Sequence, residues 1–160
     1  MSIEVLAFDF DGIFTDGSAL FFNGQEIRAL YYRDLDAFYR MKQEYFTIVI
    51  SKSSTCEDLV GKINPHYAVI GVNSKAVTLD RILNQDGYSW QETLYVGDGK
   101  SDVECLKRAE IGIVPSRNFY EAQEAADYVL MPYRECTIEA IERMLSGTLE
   151  EEEEMRSDEE

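Results

Sequence analysis

The chain has 160 residues, 45% of them hydrophobic, and carries 15 Lys and Arg against 31 Asp and Glu, for a formal charge of −16. That length and apolar content suit one globular domain with an ordinary core. The acidic balance, with no basic cluster, argues against nucleic acid as a partner. No apolar run approaches the roughly 20 residues of a membrane span. The N-terminus, Met1-Ser2-Ile3-Glu4, lacks the basic and apolar regions of a secretory signal. Cys56, Cys105 and Cys136 are scattered without metal-ligand spacing, as reduced thiols of a cytoplasmic protein would be. The last eleven residues, 150–160, hold eight acids and one base. Residues 148–160 therefore read as an acidic, disordered tail on a domain spanning 1–147.

Along the chain, strand and helix signals alternate. Residues 3–8 form an apolar run that reads as a buried strand, ending in Asp9-Phe10-Asp11-Gly12. Residues 18–22 and 26–32 flank Asn23-Gly24, a strong hairpin signal. From Asp34 to about Glu44, Leu35, Phe38, Tyr39 and Met41 recur at helical spacing. Residues 45–50 are β-branched and aromatic and read as a strand. Ser53 or Ser54 can cap a helix reaching Ile63. Residues 67–70 read as a strand, and Asn73 or Ser74 opens a helix containing Val77, Leu79, Ile82 and Leu83. Strands follow at 93–96, 111–114 and 128–131, separated by helices at 101–109 and 119–125, with a closing helix at 135–145. Such β-α repetition predicts an α/β fold, a three-layer, doubly wound parallel sheet with a β-hairpin insertion after the first strand.

In a parallel sheet the strand ends share one edge, where ligands bind. This chain places Asp9 and Asp11, then Ser51 and Lys52, then Lys75, then Asp98 and Asp102 after successive strands. Buried carboxylates are costly unless paired or metal-bound. A cluster of them with a hydroxyl and an ammonium suits Mg²⁺ and a phosphoryl group. One carboxylate can serve as nucleophile and another as acid and base. Singly, each residue has a plainer reading: Ser51 as a helix cap, Lys75 as a surface charge, Asp98 as a turn. The lone His66 reads as a surface loop histidine.

The order Asp9-x-Asp11, Ser51, Lys75, Gly97-Asp98 resembles the haloacid dehalogenase superfamily of phosphatases. The Thr15-Asp16-Gly17 extension, the hairpin, Arg33-Asp34 and Gly71-Val72-Asn73-Ser74-Lys75 are similar to the capless branch. That branch includes the phosphatases of 3-deoxy-D-manno-octulosonate 8-phosphate and of nonulosonate 9-phosphates. The resemblance implies Asp9 as nucleophile and metal ligand, and Asp11 as acid/base with its backbone carbonyl on the metal. It further implies Ser51 and Lys75 on the phosphoryl group, Asp98 directly on Mg²⁺, and Asp102 holding the metal's water or orienting Lys75. Arg33, Lys52 and Arg134 are candidates for gripping the rest of a small anionic phosphomonoester. A homotetramer associating through the hairpins is implied as well. The alternative within the same resemblance is a catalytically silent assembly module linked to sugar-nucleotide synthesis.

This chain departs from the family pattern at three places. Lys52-Ser53 stands where Gly-Arg is usual, Leu35-Asp36-Ala37-Phe38 replaces a glycine-rich segment, and Gly99 replaces a second Asp. The bulk of residues 35–38 leads us to expect a narrowed pocket. Phe21, Phe22, Tyr31 and Tyr32 are expected to make buried contacts; if exposed, they form an apolar patch that needs a partner.

Overall fold

The structure, a computed structural model, describes residues 2–115, 120–130 and 136–147. Six parallel strands form the sheet: β1 (Val5–Phe8), β4 (Phe46–Ser51), β5 (Tyr67–Ile70), β6 (Thr93–Val96), β7 (Ile111–Pro115) and β8 (Tyr128–Leu130), in the order β5-β4-β1-β6-β7-β8. A separate two-stranded ribbon, β2 (Leu20–Phe22) and β3 (Gln25–Ile27), follows β1. Asn23 and Gly24 turn it with φ of 48° and 75°, as a tight hairpin with right-handed strand twist requires.

Side-chain alternation in the central strands divides the core. Leu6 and Phe8 point to one face, where α1 (Tyr32–Lys42), α2 (Glu57–Ile63) and α6 (Thr137–Ser146) cover them with Phe38, Met41, Val60, Ile138 and Ile141. Val5 and Ala7 point to the other. There α3 (Lys75–Asp86), α4 (Val103–Arg108) and α5 (Tyr120–Ala125) supply Leu79, Ile82, Leu83, Leu106 and Ala122. A strand buried on both faces reads as a continuous apolar run, which is why residues 3–8 signalled a strand without alternation. No helix among the described residues is long and apolar enough to cross a membrane.

Several boundaries differ from expectation. The first helix starts at Tyr32, two residues before Asp34, and Asp34 lies buried inside its first turn. The second starts at Glu57 rather than beside Ser53 or Ser54. Ser53 instead turns its hydroxyl to the Thr55 N–H at 3.2 Å, bending the chain before the helix. Residues 131 and 135, expected at the ends of the last strand and helix, lie outside the described residues, as do Arg134 and the acidic tail at 148–160.

The segment at 35–38 corrects the expectation of a narrowed pocket. Ala37 and Phe38 are buried in the core. The Phe38 ring meets Phe8 and Phe14 edge-on at 5.7 and 5.4 Å. Its bulk goes into the floor beneath the first strand end. The hairpin expectation is also corrected. Phe21, Phe22 and Tyr32 are 76%, 66% and 85% exposed in the single chain, and Tyr31 is exposed too. Phe21 and Phe22 sit on a ribbon of two three-residue strands with no second layer to bury them against, and Tyr31 and Tyr32 stand at the start of α1.

Candidate active site

The sheet order reverses direction at β1, which lies between β4 and β6. The crevice at such a switch point opens at the C-terminal strand ends. Its volume is about 320 Å³ and its walls include Asp9, Asp11, Ser51, Lys52, Lys75 and Asp98. A further hollow of about 440 Å³ lies between α1 and α6 around Arg40 and Glu142 and holds none of the predicted residues.

Asp9 leaves β1 fixed from two sides. Its Oδ1 accepts from the Phe10 N–H at 2.7 Å and from Lys75 Nζ at 2.7 Å. Lys75 is the first residue of α3, where Ser74 caps the helix by accepting from the Val77 N–H. Lys75 is 3% exposed, and its ammonium also donates to Asp102 Oδ1 at 2.8 Å. Asp102 is wholly buried. Its Oδ1 takes a 2.5 Å bond from the Tyr95 hydroxyl, and its Oδ2 takes the N–H groups of Asp98 and Gly99 at 3.1 and 3.0 Å. The loop after β6 is therefore wrapped around its own carboxylate.

Two glycines make this close approach possible. A Cβ at Gly97 would come within 2.4 Å of Asp102 Cγ. Gly12 has φ +81°, and its Cβ would come within 1.8 Å of Asp98 Oδ2, so a side chain there would displace the Asp98 carboxylate. The Asp11 turn is tied by Thr15. Its hydroxyl donates to Asp11 Oδ1 at 3.3 Å and accepts the N–H groups of Gly12 and Gly17. Phe10 and Phe14, stacked at 6.1 Å, hold the same turn down on the core.

Charge is concentrated here. Asp9, Asp98 and Asp102 each offer a carboxylate oxygen within 4.8 Å of the other two. Burial, and then the Asp102 charge, push the Asp9 carboxyl well above its ordinary range against the pull of Lys75. Burial raises Asp98 as well. For Lys75, burial favours the neutral amine, but Asp9 and Asp102 outweigh it and raise its pKa. Three carboxylates against one ammonium leave excess negative charge in a low-dielectric site. A donor set of hard carboxylate oxygens fits a divalent cation that would offset it. Ser51, 2% exposed at the end of β4, accepts the Ser53 N–H at 3.2 Å, which leaves its hydroxyl proton to donate. The site thus brings together clustered carboxylate oxygens, a buried ammonium and a hydroxyl donor.

The remaining candidates separate. Lys52 is exposed on the crevice wall. Arg33 is not brought into the crevice; its guanidinium turns to Glu139 of α6 at 2.7 Å. Arg134 lies outside the described residues. His66 is exposed as expected, and its ring accepts the Thr47 N–H at 3.1 Å beside Phe46. Sequence reasoning missed Tyr95 and Arg28. Tyr95 reads as one more apolar strand residue, although its place two residues before Gly97-Asp98 puts it under the acidic loop. Arg28 leaves the hairpin and reaches Asp11 Oδ2 at 3.3 Å, and nothing local in the sequence signals that contact.

The chain is similar to known proteins in sequence over part of its length and in fold over most of it. The sequence model of the haloacid dehalogenase-like hydrolase family matches residues 68–138. A phosphoglycolate phosphatase from Aeropyrum pernix is 38% identical over 74 residues, 46% of this chain; the match spans about a third of that protein's length, 31%. The 3-deoxy-D-manno-octulosonate 8-phosphate phosphatase of Moraxella catarrhalis, solved with magnesium, phosphate and the sugar acid, superposes with a TM-score of 0.82 at 20% identity. That match covers 89% of this chain and 85% of the other. The cobalt-bound Haemophilus influenzae phosphatase for the same compound gives 0.80 at 19% identity, over 90% of this chain and 87% of that one. The fold is therefore the Rossmann-like fold of these solved structures. The resemblance read from the motifs holds on the architecture and, over residues 68–138, on the sequence.

Proposed function

We propose that the chain is a Mg²⁺-dependent phosphomonoester hydrolase acting on a small sugar or sugar-acid phosphate through an aspartyl-phosphate. The observation that carries this reading is the buried Lys75 clamp on Asp9 and Asp102 at the switch point, 2.7 and 2.8 Å from the two carboxylates. Asp9, Asp98 and Asp102, with the Asp11 backbone carbonyl, would hold the ion. When bound, Mg²⁺ supplies positive charge against the carboxylates and the phosphoryl oxygens. An Asp9 carboxylate oxygen attacks phosphorus, the ester P–O bond breaks, and Asp11 gives its proton to the departing alcohol oxygen. Water then attacks the aspartyl-phosphate while Asp11 takes its proton, releasing phosphate and restoring Asp9. Ser51 donates its hydroxyl to the phosphoryl group, and Lys75 offsets charge on Asp9 and the transferring oxygens. Lys52, at the rim, suits an anionic remainder. A crevice of about 320 Å³ is the size of a small-molecule site.

The exposed ribbon supports a homotetramer built through the hairpins, as the family resemblance implies. Alternation puts Leu20, Phe22 and Ile27 on one face of it, and in the single chain all three are exposed. Replacing Phe22 and Tyr31 by Ser should shift the protein toward monomers in analytical ultracentrifugation; wild-type monomers at micromolar concentration would refute the assembly. The silent-module reading would be favoured by lost site carboxylates, and Asp9, Asp11, Asp98 and Asp102 are all present, with Ser51 and Lys75. The functional test is phosphate release from a panel of sugar and sugar-acid phosphates by chelator-treated protein with and without Mg²⁺. Turnover restored by Mg²⁺ is expected. A folded protein that releases phosphate from none of them would overturn the reading and leave the assembly module.

A further inference from the structure

The hairpin does more than expose aromatics. Arg28 leaves the end of β3 and turns its side chain inward until it is 9% exposed, the least exposed of the ion-paired arginines among the described residues. Its Nε and one terminal nitrogen hold Glu26 Oε1 at 3.1 and 2.8 Å. That same nitrogen reaches Thr55 Oγ1 at 2.9 Å and Ser53 Oγ at 3.5 Å, on the loop after β4. The other terminal nitrogen is buried without a hydrogen-bond partner among the described residues, and it faces Asp11 Oδ2 at 3.3 Å. One planar guanidinium thus joins three segments: the hairpin, the loop after β4 and the turn after β1. The last two each line the crevice, through Ser53 and Asp11.

We propose that Arg28 is a positioning residue that sets the Asp11 carboxylate at the leaving-group side of the crevice and makes its place depend on how the hairpin is seated. The proposal rests on the reading of Asp11 as the proton donor. Asp11 has few other holds. Among the described residues its other oxygen has only the 3.3 Å bond from Thr15, and its side chain is 36% exposed. A buried guanidinium is held in a fixed plane by its fork of donors, so its charge defines a direction as well as a field. The under-satisfied nitrogen beside Asp11 is the one free to follow that carboxylate. The three-residue strands of the ribbon cannot fix their own position in water. The bonds to Ser53 and Thr55 join the hairpin base to the loop after β4. A chain whose hairpin is loosened should therefore keep its nucleophile, which Lys75 and the Phe10 N–H hold, and lose control of its acid.

The test uses the full chain with Mg²⁺, carrying Arg28→Met, Arg28→Lys or Asp11→Asn. The substrates are a series of aryl phosphates of rising leaving-group pKa together with a sugar phosphate. Proton donation to the leaving oxygen is typically worth about 10²–10⁴-fold and matters least for the best leaving group. Arg28→Met should lower kcat at least tenfold on the poorest leaving groups and hardly at all on the best, with KM changed little. Arg28→Lys should recover part of the loss. An equal fall across the series, or a rise in KM with kcat unchanged, would overturn the positioning role. Asp11→Asn without leaving-group dependence would instead refute the acid assignment, a separate failure. Hydrogen exchange gives a readout independent of turnover. Amides of residues 11–17 should exchange faster in Arg28→Met while those of β1 and β4 do not, and unchanged exchange in that turn would sink the proposal.

Discussion

Asp102 and Asp34 are both buried carboxylates, 0% and 1% exposed, and they are treated in opposite ways. Asp102 receives four donors from four sources: Lys75, the Tyr95 hydroxyl and two backbone N–H groups. Asp34, in the first turn of α1, lies against the start of α6. Its Oδ1 accepts the Glu139 N–H at 3.0 Å, while Oδ2 is buried with no hydrogen-bond partner among the described residues. Burial pushes its pKa up to about 6, against the opposing pull of the Glu139 and Ile138 N–H groups. A burial that is expensive for both is offset by a dense donor network in one place and left half offset in the other. The first arrangement fixes a carboxyl group beside Asp9 and Lys75. The second makes a seam whose strength depends on pH.

The sharpest way to break this contrast is to neutralise one carboxylate in each region. Asp9→Asn should abolish turnover, since an amide cannot form the acyl-phosphate, and the loss should reach several orders of magnitude. The fold should survive, because burial already disfavours charge on Asp9. Phosphate release paired with a thermal melt checks both halves. A well-folded Asp9→Asn protein with wild-type turnover would remove Asp9 as nucleophile. Asp34→Asn, by contrast, should leave turnover unchanged.

A smaller effect isolates the donor network. Tyr95→Phe removes only the hydroxyl that holds Asp102 Oδ1, and the ring stays packed in the core. Groups that orient a ligating carboxylate typically matter about 10–100-fold in metal affinity or activity. Mg²⁺ affinity by calorimetry and turnover should fall within that range, at a stability cost of about 1 kcal/mol. If neither moves, Lys75 and the backbone alone position Asp102.

The legible part of the site is the part written locally. Asp9 and Asp11, or Gly97 and Asp98, announce themselves because a buried strand ends in carboxylates and glycine within a few residues. Ser51 and Lys75 gain meaning only from the order in which four strand ends occur. Tyr95 was illegible because a strand tyrosine looks like core until its hydroxyl is seen on Asp102. Arg28 contacts residues 17 positions before it and 25 and 27 after it, and no short pattern encodes such a meeting. The sheet was legible because its buried strands are apolar runs; the fate of residues 35–38 was not, because bulk alone does not say whether a side chain faces the crevice or the floor beneath it. Asp34 and Glu139 meet across 105 residues.

The last prediction concerns that seam. The folded state raises the Asp34 pKa from 3.8 to about 6. Between those values the folded chain holds a proton that the unfolded chain has released, so stability falls as pH rises through the window. Below pH 3.8 the contribution is fully present, and above pH 6 it is gone. A shift of this size corresponds to at most about 3 kcal/mol. Asp9 and Asp98, also raised, add slopes of the same sign, so wild type alone cannot isolate Asp34. The difference between wild type and Asp34→Asn can. Asn keeps an oxygen for the Glu139 N–H and never ionises. In urea unfolding, the variant should gain on wild type by about 2–3 kcal/mol between pH 4 and pH 7. A constant difference across that range would mean that the seam carries no titrating charge and that Asp34 is as well satisfied as Asp102.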